Sequence, residues 1–176
     1  ITKEFKKVST FLDIIRKEAG MNLHAKVITE NHVPTAAGFA SSASGYAALA
    51  AAATKAIGLH LSLNELSKIA RQGSGSACRS IFGGFVEWQK GSLEDGSDSY
   101  ARQILDENAW NLTILSVMVT AGQKKVSSRE GMKRTLETSP FYQGWLSTVD
   151  EDMEAVKTAI RNRDFVSLGE VVERNA

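Results

Sequence analysis

A single cysteine, Cys78, stands among the 176 residues, so no internal disulfide framework can hold this chain. One unpaired thiol fits a reducing compartment, and a cytoplasmic setting is expected. An excess of one charge is missing too: 21 Lys and Arg face 20 Asp and Glu, a formal net charge of +1. The basic residues are scattered, which argues against an electrostatic footprint for nucleic acid. No apolar run approaches the roughly 20 residues needed to span a bilayer. The opening ITKEFKKVST is charged, unlike a secretory signal.

Familiar chemical signatures are also lacking. His24, His32 and His60 have no metal-ligand spacing, and each reads as structural or surface-exposed. No Ser-His-Asp arrangement can be assembled. Neither G-x-x-x-x-G-K-[ST] nor G-x-G-x-x-G occurs. What remains is 43% hydrophobic and 23% charged, the composition of an ordinary globular protein. Both ends fall inside helical patterns, so an interior piece of a longer protein is expected.

Periodicity orders the chain coarsely. Ile1, Phe5, Val8, Leu12 and Ile15 recur at helical spacing, and Gly20 is the expected stop. Residues 23–30, LHAKVITE, alternate as a strand does. SGYAALAAAATKAIG is helix-forming with an alanine-rich face, and Gly58 is its expected cap. Ser62 and Glu65 predict a capping box for a helix through about Arg71. FVEWQKG reads as a strand, followed by a polar turn around Asp95-Gly96. Residues 110–120, WNLTILSVMVT, read as a strand buried on both faces. Ser127 and Glu130 predict another capping box. A long amphipathic helix carries Trp145, Val149, Met153, Val156 and Ile160, read as core, and Asp164 is the expected N-cap of the next helix. A domain boundary is expected near residues 108–111.

Three loops carry the chemistry. In PTAAGFASSASG, residues 34–45, a small-residue loop runs from a predicted strand into a helix beginning near Ser42. The first turn of a helix has unpaired N–H groups and the positive end of the macrodipole, and small side chains let a phosphate approach that backbone. Ser41, Ser42 and Ser44 add hydroxyls. The alternative reading is close packing of strand on helix. In GSGSACRS, Gly73, Ser74, Gly75 and Ser76 precede Arg79, whose planar guanidinium suits two-donor contacts to carboxylate or phosphate. Its alternative is a helix start with an exposed arginine. GQKKVSSREG adds Lys124, Lys125, Ser127, Ser128 and Arg129, against the alternative of a capped helix with solvated lysines. Three anion-competent loops together argue for a nucleotide plus an acidic or phosphorylated substrate. Cys78 beside Arg79 is either an activated thiol or a small buried packing residue, and the second reading is preferred.

PTAAGFASSASG resembles the phosphate-binding motif of the GHMP kinase superfamily. Together with GSGSACRSIFGGFVEW it is similar to the mevalonate diphosphate decarboxylase family, with a bacterial-type member expected, and the resemblance spans the chain. It implies a two-layer α+β GHMP-kinase-like fold. Residues 1–111 would be part of a ribosomal-protein-like N-terminal, nucleotide-binding domain with a left-handed βαβ unit. Residues 112–176 would begin a ferredoxin-like C-terminal domain.

The resemblance further implies that MgATP phosphorylates the tertiary hydroxyl of (R)-5-diphosphomevalonate, and that loss of phosphate and CO2 gives isopentenyl diphosphate. By that resemblance Ala40, Ser41, Ser42 and Ser44 sit at the ATP phosphates and magnesium, with no other metal. Arg79 holds the substrate carboxylate. Ser74, Gly75, Ser76 and Arg129 face the diphosphate, with Ser128 and Lys124 near the phosphates; Arg79 and Ser128 are the catalytic candidates. The family's acidic residue is expected after Ala176 and a substrate-binding segment before Ile1, so Asp95, Asp98, Asp150 and Asp152 are not assigned that role. The expected partner is a small-molecule substrate, with neither nucleic acid nor membrane; a homodimer stays open. Two other functions stay open as well. One is a superfamily kinase acting on mevalonate, phosphomevalonate or homoserine without decarboxylation. The other is a non-catalytic RNA-binding module on the ribosomal-type fold.

Overall fold

The structure is a computed structural model that describes residues 2–32, 40–117 and 126–175. The fold is α+β, among the described residues several helices with one small antiparallel sheet. It divides into two compact units, Ile1–Gln103 and Ile104–Ala176.

The first unit begins with α1, Lys3–Ala19, capped by the Thr2 hydroxyl and stopped where Gly20 turns left-handed at φ 63°. Helix α2, Ser41–Ala56, follows, and its end is closed by Gly58 at φ 71°. There the Gly58 N–H donates to Lys55 O (3.1 Å) and the Leu59 N–H to Thr54 O (2.9 Å), the paired bonds of a Schellman end. Helix α3, Leu63–Gly73, starts in the predicted capping box: Ser62 Oγ accepts the Glu65 N–H, and the Glu65 carboxylate accepts the Ser62 N–H at 2.7 Å. A 3-10 segment, Gly75–Ile81, leads to the hairpin β1, Phe85–Trp88, and β2, Ala101–Leu105.

The core of this unit is built on small residues. Phe11, Leu12 and Ile15 of α1 meet Ala43, Ala47 and Ala50 of α2, and Ile69, Ala70 and Ala77 complete the cluster. Alanines at i, i+4 and i+7 remove the bulk from one face of α2, so neighbouring backbones approach closely. Phe11 and Ile15, each 2% exposed, supply the apolar burial, about 1.5–3 kcal/mol per side chain. The ring of Tyr46 meets Phe11 edge-on at 5.0 Å.

Two predicted strands do not form. Residues 23–32 carry no regular secondary structure, and Leu23, Val27 and Ile28 are exposed. Residues 110–117 are likewise irregular, with Ile114 and Leu115 each 86% exposed rather than buried on both faces; residues 118–120 lie outside the described part. Alternation and apolar runs state which side chains would face a core. A strand also needs a neighbour for its N–H and C=O groups, and among the described residues the ladder joins only β1 and β2. Conversely ARQIL of β2, which no pattern announced, is a strand because β1 lies beside it. The Gln89 N–H donates to Tyr100 O at 2.9 Å, and Arg102 pairs with Glu87 across the ladder at 2.8 Å.

The second unit holds α4, Ser128–Thr138, α5, Tyr142–Asn162, and α6, Phe165–Asn175. Ser127 caps α4 by accepting the Glu130 N–H, and Asp164 caps α6 by accepting the Ser167 N–H at 3.1 Å. Helices α5 and α6 pack through Ile160 and Val171 and through a polar clamp at buried Asp152. Its carboxylate accepts from Arg174 Nε (3.0 Å) and Asn175 Nδ2 (2.8 Å). Trp145, read as core, is 40% exposed and donates its indole N–H to Asn175. Among the described residues no helix is long and apolar enough to cross a membrane.

Candidate active site

The start of helix α2 is described from Ala40 onward. Its N-cap, Ala40, is held in the left-handed region at φ 52°, ψ 32°, a conformation that costs an L-residue about 1–2 kcal/mol. Among the described residues no side-chain capping bond is made at this end and no acidic residue stands in its first turn. The N–H groups of Ala43 and Ser44 turn back to Ala40 O, at 2.8 and 3.3 Å. The amides of Ser41 and Ser42 have no acceptor within the helix itself, and this turn carries the positive end of the helix dipole. The Ser44 hydroxyl donates to Ser41 O at 3.1 Å, while Ser42 is exposed. Residues 34–39 of the loop lie outside the described part.

The second loop is packed against the first helix. Gly73 ends α3 beneath the Tyr46 ring: a methyl there would stand 2.2 Å from Tyr46 Cδ1. Ser74 follows, its C=O accepting the Ala77 N–H at 2.8 Å as the 3-10 turn begins. Gly75 lies under the indole of Trp88, and a methyl there would meet the ring at 2.8 Å. Ser74, Gly75 and Ser76 are half-buried, whereas Arg79 is exposed on the outer side of the 3-10 segment. Behind the loop, Ala77 and Cys78 are completely buried. Burial pushes the Cys78 thiol up from its ordinary value, against the opposing pull of Arg79, and the thiol donates to Gly75 O at 3.0 Å. Cys78 is thus the packing residue of the two readings, not an activated nucleophile.

The loop is braced from the hairpin side as well. The Arg71 guanidinium donates to Gly96 O at 3.0 Å, and Ser67 Oγ accepts the Ala101 N–H at 2.8 Å, both ends fully buried. The Asp98 carboxylate gathers the Ser92 N–H (2.7 Å) and hydroxyl (3.0 Å) and the Leu93 N–H (3.2 Å). These bonds, that from the Ser92 backbone first, hold Asp98 below the usual carboxylate range. A cleft of about 490 Å³ lies between α3 and this turn, lined by Glu18, Lys68, Arg71 and Asp95; none of the predicted phosphate or substrate residues lines it.

Helices α2 and α3 both pack on the 3-10 segment, so α2 and the second loop are brought together within one unit. Ser128 and Arg129 stand exposed at the start of α4 in the other unit; Lys124 and Lys125 lie outside the described residues. His24, His32 and His60 are exposed, and among the described residues no group of three or more His, Cys, Asp or Glu could hold a metal. Tyr46, Arg71 and Trp88 are the residues that pattern reading missed. Glycines at 73 and 75 were the available signal, because a backbone without Cβ is where another side chain can approach.

The model of the diphosphomevalonate decarboxylase-like N-terminal domain matches residues 1–101, and that of the mevalonate 5-diphosphate decarboxylase C-terminal domain matches residues 114–176. The chain belongs to the diphosphomevalonate decarboxylase family. Diphosphomevalonate decarboxylase mvd1 of Aspergillus fumigatus is 46% identical over 156 residues, 88% of this chain and 39% of that protein. Mevalonate diphosphate decarboxylase of Staphylococcus aureus superposes with a TM-score of 0.84 at 45% identity, covering 99% of this chain and 53% of that one. A further solved structure, MDDEF in complex with MVAPP, AMPPCP and magnesium, gives 0.81 at 48% identity over 99% of this chain and 53% of that one. Identity is alike to the fungal and the bacterial member. The chain spans between about two fifths and half the length of these relatives.

Proposed function

We propose that the protein carrying this chain is an ATP-dependent diphosphomevalonate decarboxylase, converting (R)-5-diphosphomevalonate to isopentenyl diphosphate in the mevalonate route to isoprenoids. The observation that carries the reading is helix α2, with no side-chain capping bond at its start among the described residues, packed on the 3-10 segment Gly75–Ile81, in a chain whose two parts match the two domains of that family. Residues 1–111 are read as part of the nucleotide-binding N-terminal domain and 112–176 as the start of the C-terminal one. The single buried thiol suits a cytoplasmic enzyme.

First-turn amides suit phosphate oxygens and serine hydroxyl oxygens suit a hard magnesium ion, so Ala40, Ser41, Ser42 and Ser44 fit MgATP. When bound, MgATP supplies the phosphoryl group that makes the tertiary hydroxyl a leaving group. The remaining work is positioning and charge stabilisation. Arg79 holds the substrate carboxylate with its two-donor fork, aligning the C–C bond that breaks with the departing phosphate. By the family resemblance Ser74, Gly75, Ser76 and Arg129 are read as diphosphate ligands, and Ser128 and Lys124 are assigned to the phosphates. MVAPP and AMPPCP with magnesium in the solved relative support this ligand pair. The test is ADP and CO2 release from diphosphomevalonate by the full-length protein. Equimolar release is expected; ADP without CO2 would overturn the decarboxylase reading in favour of a kinase.

A further inference from the structure

Gly75 sits in the middle of the Ser74–Ser76 turn and is held on two sides. The far edge of the Trp88 indole lies against its Cα, so that an added methyl would meet ring carbons at 2.8 and 3.2 Å. The Cys78 thiol donates to its carbonyl at 3.0 Å, and burial keeps that thiol protonated. Trp88 is itself fixed. Its Nε1–H donates to Ser99 Oγ at 3.1 Å, and the Ser99 hydroxyl donates onward to Gln89 O at 3.0 Å, which settles both of its roles. Ser99 is 5% exposed, at the base of a hairpin tied to α3 through Ser67–Ala101 and Arg71–Gly96.

We infer that Trp88, oriented by Ser99, and the Cys78 thiol are positioning residues that clamp Gly75 and so set the backbone from which Ser74 and Ser76 meet the substrate diphosphate. This deepens the function proposed above and rests on it for its kinetic consequence. A turn of small residues has little of its own to hold a shape: Gly75 has no side chain, and Ser74 and Ser76 are half-buried. Beside the Ala77–Ser74 turn bond, the Trp88 ring edge and the hydrogen-bonded Cys78 thiol do that holding. Trp88→Phe is too short to reach Gly75, and Ser99→Ala leaves the indole without its acceptor.

The test is a double-mutant cycle between Trp88→Phe and Gly75→Ala in the full-length protein, read by steady-state kinetics and by amide hydrogen exchange over residues 74–78. Each single change is expected to raise KM for the diphosphate substrate by about tenfold with a smaller change in kcat, because a displaced turn weakens binding. The pair should be less than additive, by at least about threefold, since the ring edge lost in Trp88→Phe is the space the new methyl takes. Trp88→Phe and Ser99→Ala should speed exchange at residues 74–78 while the thermal midpoint moves by only a few degrees. Wild-type KM and exchange in Trp88→Phe, or strict additivity of the pair, would overturn the clamp. If the parent releases no CO2, the functional reading fails; exchange at residues 74–78 then still decides the clamp by itself.

Discussion

The ring of Tyr46 lies on Gly73 so closely that helix α2, which follows the first predicted phosphate loop, and the turn of the second share one contact. Tyr46 cannot simply swing away, because Phe11 meets its ring edge-on from the core side. Gly73→Ala forces a methyl into that ring and should destabilise the protein by about 1–3 kcal/mol through overpacking. Chemical denaturation measures it. An unchanged midpoint would mean that the ring yields and that the contact does not set the spacing of the two loops.

Arg79 is exposed and, in the proposed function, waits for an anion. Arg79→Ala should lower kcat/KM by more than about tenfold, since loss of one charged contact typically costs about 2–5 kcal/mol. Arg79→Lys should not restore it, because an ammonium lacks the planar two-donor fork. The thermal midpoint should stay put, which separates the role from folding. Near-normal kinetics in Arg79→Ala would remove the residue from the site.

At the start of α2 the side chain and the backbone can be tested apart. Ser42→Ala should depress ATP-dependent turnover without moving the melting temperature, because the Ser42 side chain is exposed. Ala40→Gly should do the reverse to stability. It relieves the left-handed strain at φ 52°, offset in part by the greater freedom of glycine in the unfolded chain, for a net gain of up to about 1 kcal/mol. A loss of stability in Ala40→Gly would show that the left-handed turn is not strained.

Asp152 supplies the pH prediction. Hydrogen bonds from Asn175 and then Arg174 hold its carboxyl below the ordinary value. A carboxylate whose pKa is depressed by folding stabilises the native state fully above its unfolded pKa, about 3.9, and that stability is lost as pH falls through the lower folded value. The melting temperature of the wild type should therefore drop on acidification below about pH 4. Asp152→Asn should start lower at neutral pH and show a shallower drop, Asp95, Asp98 and Asp164 contributing equally to both. Parallel curves from pH 7 to pH 3 would refute the assignment.

What the sequence by itself determined is local. Gly20, Gly58, Ser62 with Glu65, Ser127 and Asp164 mark helix ends because a cap and its partner lie within five residues of one another, and the bond closes wherever the chain turns. The run of small residues before α2 was legible in the same local way, and the start of that helix at Ser41 follows it. Tertiary structure alone decided the rest. Residues 23–30 and 110–117 have the patterns of strands without a ladder partner among the described residues, while ARQIL pairs with FVEW and becomes one. The contacts that shape the second loop join Ser67 to Ala101, Arg71 to Gly96 and Trp88 to Gly75. Such pairs depend on a hydrogen-bond acceptor or a bare Cα arriving from far along the chain, and no spacing in the sequence encodes that meeting.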